Sequence, residues 1–175
     1  MTYTLVIPLK TGIQLHQNTK TKVLKELLYL GKTYTLEIRM NKKAIVELED
    51  KFYVSSNNHQ ATIRYLTAWY KIQARKTIQD RVKHLSQLAK LHYNTMSITD
   101  ASTRWGSCSS NKNLHFNWKL IMAPPPVIDY VVSHELAHLV EMNHSKDFWE
   151  TVRKMFPLYR QYRTWLKRQG HTLTI

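Results

Sequence analysis

Between Asn58 and Tyr93 the chain has no glycine or proline, and apolar side chains recur there at helical spacing: Ile63, Leu66, Trp69, Tyr70, Ile72, Ile78, Val82, Leu85, Leu88 and Leu91. One long helix, or two joined by a bend, is expected, with Asn57-Asn58 at its start. Ahead of it the pattern is β-like. Residues 2–10 alternate weakly and read as a strand, and residues 20–28 read as a short helix. Tyr34 to Ile38 and Ala44 to Leu48, split by Asn41-Lys42-Lys43, read as a hairpin, and Asp50-Lys51 turns into Phe52-Tyr53-Val54. The expected organisation is a small β-rich lobe over 1–57 and a larger domain over 58–175, as two domains or as one compact unit.

After the long helix the period switches again. Met96 and Ile98 alternate with polar residues, and Leu114, Phe116, Trp118 and Leu120 face one way while His115, Asn117 and Lys119 face the other. Ser109 to Asn113 reads as the loop of a hairpin. Val127, Ile128, Val131, Val132, Leu136 and Leu139 then give an apolar stripe at helical spacing. Pro124, Pro125 and Pro126 can start that helix but cannot lie inside it. Two further helices are expected near 145–156 and 157–169. Phe148, Trp149, Val152 and Phe156 of the first pack under the preceding helix, and Trp165 and Leu166 of the second close the core before Gly170.

Composition narrows the class. The 175 residues carry 43% hydrophobic side chains and only four glycines, which argues for a folded core rather than disorder. A single cysteine excludes an internal disulfide, and with no basic-plus-apolar leader at the N-terminus the expected location is the cytoplasm. No apolar run approaches the roughly 18 residues that span a bilayer, so no membrane is expected among the partners. Lys plus Arg outnumber Asp plus Glu by 26 to 12, a net charge of +14. Such a surface attracts polyanions, nucleic acid or nucleotides among them, although the same charge is compatible with a merely solvated basic surface. No DNA-reading motif, P-loop or glycine-rich phosphate cradle accompanies it.

The chemistry concentrates in His134-Glu135-Leu136-Ala137-His138, with His144 six residues on. Histidines four apart on a helix differ by about 40° around its axis, so both imidazoles leave one face and can grip one cation. Glu135 stands beside the first of them. This H-E-x-x-H pattern is a signature of zinc hydrolases. With 9 His among 175 residues it arises by accident in about 2% of shuffled chains, so its helical context carries much of the weight. On a continuous helix His144 would lie about 240° past His138, pointing away. The helix must therefore end just after His138, and Glu141-Met142-Asn143 is where the chain turns back. Asn143 tolerates a left-handed conformation, and Ser145 reads as the N-cap of the next helix with Asp147 in its first turn. Glu141 is the rival to His144 as third ligand.

Arg104-Trp105-Gly106-Ser107-Cys108-Ser109, Asn117 to Ile121, Ile128 to Val132, His134 to His138, Asn143-His144-Ser145 and Phe148-Trp149 together resemble the YgjP-like metallopeptidase domain, a relative of the SprT-like and Wss-like zincins. The match runs over roughly residues 94–170, and more loosely over Tyr29 to Tyr34. The resemblance implies an α+β fold: a zincin-like core with a small antiparallel sheet beside the H-E-x-x-H helix, preceded by the β-rich lobe and the long helix. It implies that His134, His138 and His144 bind Zn2+, or another divalent transition metal, and that Glu135 is the general base. Arg104, His115 and Tyr159 are candidates by residue type to contact the substrate or transition state. Asp129 is a candidate to orient a ligand imidazole. Cys108 reads as packing.

The function expected is a zinc-dependent hydrolase acting on peptides or proteins. The alternatives are a metal-dependent nucleoside triphosphate pyrophosphatase, since some relatives are regarded as acting on pyrimidine nucleotides, and a nucleic-acid-associated zincin.

Overall fold

The computed structural model describes residues 25–39 and 45–175. The strand expected over 2–10 and the turn at Asn41-Lys42-Lys43 lie outside these residues. Contacts divide the chain into two compact units, one ending at Trp69 and the other running from Tyr70 to Thr174.

The first unit is built on β1 (Glu26–Tyr29), β2 (Lys32–Ile38), β3 (Val46–Leu48) and β4 (Phe52–Val54), in the order β1-β2-β4-β3. The short helix read over 20–28 is corrected for its described end, where Glu26 to Tyr29 form a strand antiparallel to β2. Leu30 (φ 50°) and Gly31 (φ 76°) close that hairpin with both φ positive, the two-residue turn whose twist matches paired strands. The hairpin read between Tyr34–Ile38 and Ala44–Leu48 is also corrected. β4 lies between β2 and β3, parallel to the former and antiparallel to the latter. Leu27, Leu36, Phe52 and Val54 are buried, and the Trp69 ring packs edge-on to Phe52 and Tyr29, with centroids 5.0 and 5.1 Å away.

The long helix is continuous: α1 runs His59–Leu88. Asn58 caps it, its side-chain oxygen accepting from the Ala61 N–H at 2.8 Å. Besides Ala61 in its first turn, its buried positions are Thr62, Leu66, Tyr70, Ala74, Ile78, Val82 and Ser86, one every fourth residue. Such a stripe winds by about 40° per step around the helix. Ile72 and Leu88, counted above as part of the apolar face, fall off it and are exposed. Lys90 (φ 55°) ends the helix in the left-handed conformation, and the Leu91 N–H reaches back to the Ser86 carbonyl at 2.9 Å.

In the second unit β5 (Thr95–Thr99), β6 (Gly106–Cys108) and β7 (Asn113–Asn117) form a sheet in the order β5-β7-β6. β6 and β7 are the expected antiparallel hairpin, turning over Ser109–Lys112, while β5 runs parallel to β7, so the sheet is mixed. The strand expected to continue to Leu120 stops at Asn117. There the Asn117 side chain accepts from the Lys119 N–H (2.9 Å), donates to the Ala101 carbonyl (2.7 Å) and caps a 3-10 helix over Trp118–Met122. α2 (Pro125–Ala137) follows, with Pro125 at its first turn as expected. Val127, Ile128, Val131, Val132 and Leu136 are all buried; so are Tyr130, Ser133, Glu135 and Ala137, which makes α2 the central helix of this unit. Arg81 of α1 holds Asp129 of α2 with two hydrogen bonds of 2.6 and 3.0 Å. α3 (Lys146–Met155) and α4 (Tyr159–Gln169) complete the unit. No helix among the described residues is long and apolar enough to cross a membrane.

Candidate active site

α2 carries His134 in its last turn, and His138 is its C-cap with φ still helical at −66°. The helix closes by tightening: the Leu139 and Val140 N–H groups bond to the Leu136 and Ala137 carbonyls at 3.0 and 3.1 Å. The left-handed Asn143 expected at this turn is corrected, because the described non-glycine residues with positive φ are Leu30, Lys90 and Lys112. Ser145 then caps α3 as its sequence context indicates, accepting from the Phe148 N–H at 3.2 Å, with Asp147 in the first turn. The reversal brings His144 back over the end of α2.

The three imidazoles come together. Ring centroids are 5.1 Å apart for His134 and His138, 5.0 Å for His134 and His144, and 4.8 Å for His138 and His144. One ring nitrogen from each lies within 4.8 Å of the others, and Nε2 of His134 and Nε2 of His144 face each other at 3.1 Å. Among the described residues this is the group of side chains able to share a metal ion. The His138 Nδ1 is 3.1 Å from the Glu141 carbonyl oxygen. A carbonyl only accepts, so that nitrogen carries the proton and Nε2 keeps its lone pair for the cluster. Glu141 thus enters through its backbone rather than as a carboxylate. His134 Nδ1 is buried without a hydrogen-bond partner, so packing sets its ring.

That packing is aromatic. The fully buried Phe148 lies under all three rings, at 4.9, 4.5 and 4.7 Å from His134, His138 and His144. Tyr130, one turn before His134, approaches it edge-on at 6.0 Å. Trp149 stacks on His144 with centroids 5.8 Å apart. Phe148→Ala should remove this floor and cost about 3–5 kcal/mol of stability, the usual range for emptying a buried phenylalanine site. Chemical denaturation of metal-free protein checks this, and Phe148→Leu should lose clearly less.

Burial controls the charges. It pulls the His134 pKa down to about 3, helped by the neighbouring imidazoles, and lowers that of His138 as well. Both rings are therefore neutral, as metal ligation requires. Burial pushes the Glu135 carboxyl up to about 8, with the Arg104 charge opposing it. Glu135 is only 5% exposed. It is pressed against β6 so closely that a Cβ at Gly106 would stand 2.6 Å from Oε1 and 2.7 Å from Cγ. The Cys108 thiol beside it is raised by burial and then by the Glu135 charge, which keeps it a protonated, packed thiol. Three imidazoles whose ring nitrogens converge make a donor set suited to a divalent transition metal.

The other residues singled out above are distributed differently. Arg104 is exposed, but its charge acts on Glu135. His115 sits in mid-β7 and is bonded through Nδ1 to the Ser97 hydroxyl at 2.7 Å. Tyr159 is buried and stacked on Trp149 at 5.4 Å, one ring removed from His144. Asp129 is not at the imidazoles, since Arg81 occupies both of its oxygens. Gly106, read only as part of the resemblance, and Arg163 were given no role at the site from the sequence. Arg163 caps Trp149 (4.5 Å to the ring) and its charge further lowers the His134 pKa. For Gly106 a signal was present, since a glycine inside a strand pattern marks a close approach.

A family model described as YgjP-like, metallopeptidase domain, matches residues 9–169. Among solved structures the chain is similar to the metallopeptidase zymogen of Pyrococcus abyssi abylysin, at 19% identity and a TM-score of 0.47, over 52% of this chain and 93% of that one. It is similar also to the metallopeptidase zymogen of Methanocaldococcus jannaschii jannalysin, at 19% identity and a TM-score of 0.46, over 53% and 95%. No curated protein matches the sequence significantly.

Proposed function

Because the chain belongs to the YgjP-like family with its metallopeptidase domain, we propose that it is a zinc-dependent peptidase whose ion is held by His134, His138 and His144 and whose general base is Glu135. The observation that carries this reading is the convergence of three imidazole nitrogens within 4.8 Å, with Glu135, 5% exposed, following the first of these histidines in the chain. When bound, a dication at such a cluster acidifies water and polarises a carbonyl.

The chain's own residues supply the rest. Glu135, fixed by its contact with Gly106, takes the proton of the attacking water and delivers it to the leaving amine nitrogen. For this it must be ionised, and positive charge in the histidine cluster would oppose the burial that raises its pKa. Arg104, whose charge already acts at Glu135, is the best placed of the three candidate contacts to meet a developing oxyanion. β6 is at the end of its sheet, and its outer edge offers hydrogen-bonding groups to an extended substrate backbone.

The test compares wild type with Glu135→Gln on casein, on nucleoside triphosphates, and on DNA with and without bound protein. Cleavage of casein by the wild type alone supports a peptidase. Release of phosphate or pyrophosphate without proteolysis would replace it with a nucleotide hydrolase.

A further inference from the structure

α4 places Arg160, Arg163 and Lys167 at positions i, i+3 and i+7, which fall on one helical face. That face and Lys146, the first residue of α3, surround a cavity of about 480 Å³ walled by Trp149 and Tyr159. No acidic residue lines it. Elsewhere Arg81, Arg153 and Lys71 have carboxylate partners, but these four cations have none within 4.0 Å among the described residues. Arg160 donates to the Tyr159 hydroxyl at 3.2 Å, and Arg163 lies over the Trp149 ring. Lys146 acts at longer range on the Glu150 carboxyl, but the three cations of α4 have no such carboxylate in contact, and an anionic ligand in the cavity would relieve the repulsion among these like charges. The cavity also shares a wall with the histidine cluster, because Trp149 stacks on His144 at 5.8 Å.

We propose that this cavity is a specificity subsite for an acidic side chain of a peptide substrate, one or two residues from the bond that is cut. The proposal rests on the peptidase reading above. Trp149 of the cavity wall lies 5.8 Å from the His144 ring, and an extended chain advances about 3.3 Å per residue, so the subsite falls one or two residues from a bond held at the cluster. Carboxylates suit the site better than nucleic acid does. Binding of single strands relies on open aromatic faces for base stacking. Here the Trp149 ring is already stacked by Tyr159 and His144 and capped by Arg163. What remains available is the guanidinium forks and ammonium groups, which recognise carboxylates directly.

The experiment uses matched peptides that differ only by Glu or Gln at each position flanking the scissile bond. Wild type should prefer Glu at one position by about 10-fold or more in kcat/KM, the scale of a charge-assisted contact. Arg160→Gln with Lys167→Gln should bring that ratio to within about 2-fold of unity. Arg75→Gln with Lys76→Gln removes the same charge from exposed positions on α1 and should leave the ratio intact. Binding of an uncleavable D-amino-acid Glu peptide to Glu135→Gln, followed by tryptophan fluorescence, provides a second readout. Absence of a Glu preference, or a preference unaffected by the α4 changes, overturns the proposal. So does equal loss in the α1 control, or displacement of the peptide by an oligonucleotide or nucleoside triphosphate at far lower concentration. If no peptide is cut at all, the peptidase reading fails separately, and the binding readout alone decides whether the cavity takes carboxylates.

Discussion

Glu135→Gln should lower kcat on a peptide substrate by about a thousandfold while leaving the metal content of the protein unchanged. The magnitude follows from the role, since a positioned proton-transfer group contributes about 10²–10⁴ in rate. Glutamine keeps the shape and volume of the side chain but cannot take a proton from water. The fold should not suffer. Glu135 is buried, and its surroundings disfavour the charged form strongly enough to raise its pKa to about 8, so a neutral amide is tolerated there at least as well as a carboxylate. KM should change little, because the lost interaction belongs to the transition state. Steady-state kinetics on a fluorogenic peptide, with metal analysis of the same preparations, checks this. Residual activity above about a tenth of wild type would remove Glu135 from the role of base, given that range.

The second large effect is expected at Gly106, a residue that takes no part in the chemistry. Its backbone is not in the left-handed region, so alanine is conformationally permitted there, and the cost of Gly106→Ala is steric. The added methyl would stand 2.6 Å from Oε1, 2.7 Å from Cγ and 2.9 Å from Cδ of Glu135. The carboxyl must move by up to about an ångström to restore ordinary contact, and misplacement on that scale costs about 100-fold in rate. Overpacking should also lower stability by about 1–3 kcal/mol. The two substitutions act through one side chain, so they should not add. In a Glu135→Gln background, Gly106→Ala should lower the residual activity hardly further. A Gly106→Ala enzyme with full activity would show that the carboxyl position is not held from β6.

The elements that place this side chain were legible to different degrees. α2 was read well because each of its signals is local: prolines at its start, an apolar stripe, and a serine placed to cap the helix after the turn. Helical geometry showed that the chain must turn after His138 if His144 is to join His134 and His138, since six residues on a continuous helix would have put it on the wrong side, while the choice of His144 over Glu141 came from the family resemblance. How the turn is made did not follow. The sequence pointed to a left-handed Asn143, whereas the last turn of α2 tightens into i to i+3 bonds, with His138 pinned by the Glu141 carbonyl.

Errors elsewhere have the same origin. Trp118 and Leu120 continue the alternation of β7, but the Asn117 side chain bonds to the Ala101 carbonyl and the Lys119 N–H and turns the chain into a 3-10 helix. β4 inserts between β2 and β3 because sheet order is fixed by non-local pairing, to which a hydrophobic pattern is blind. Asp129 has the right residue type to orient an imidazole, yet Arg81, 48 residues away in sequence, takes both of its oxygens. The basic face of α4 is visible as Arg160, Arg163 and Lys167, but the cavity exists only once α3 contributes Lys146 and Trp149.

The most direct measurement is metal content with X-ray absorption on protein dialysed against zinc and then freed of excess, for wild type and for His134→Ala/His138→Ala/His144→Ala. The wild type should hold about one zinc per chain, with a nitrogen-rich shell at about 2.0–2.1 Å bearing the scattering pattern of imidazole, and the triple variant should hold almost none. A wild type that retains no metal, or a triple variant that retains as much, would contradict the three-histidine centre on which the catalytic reading stands.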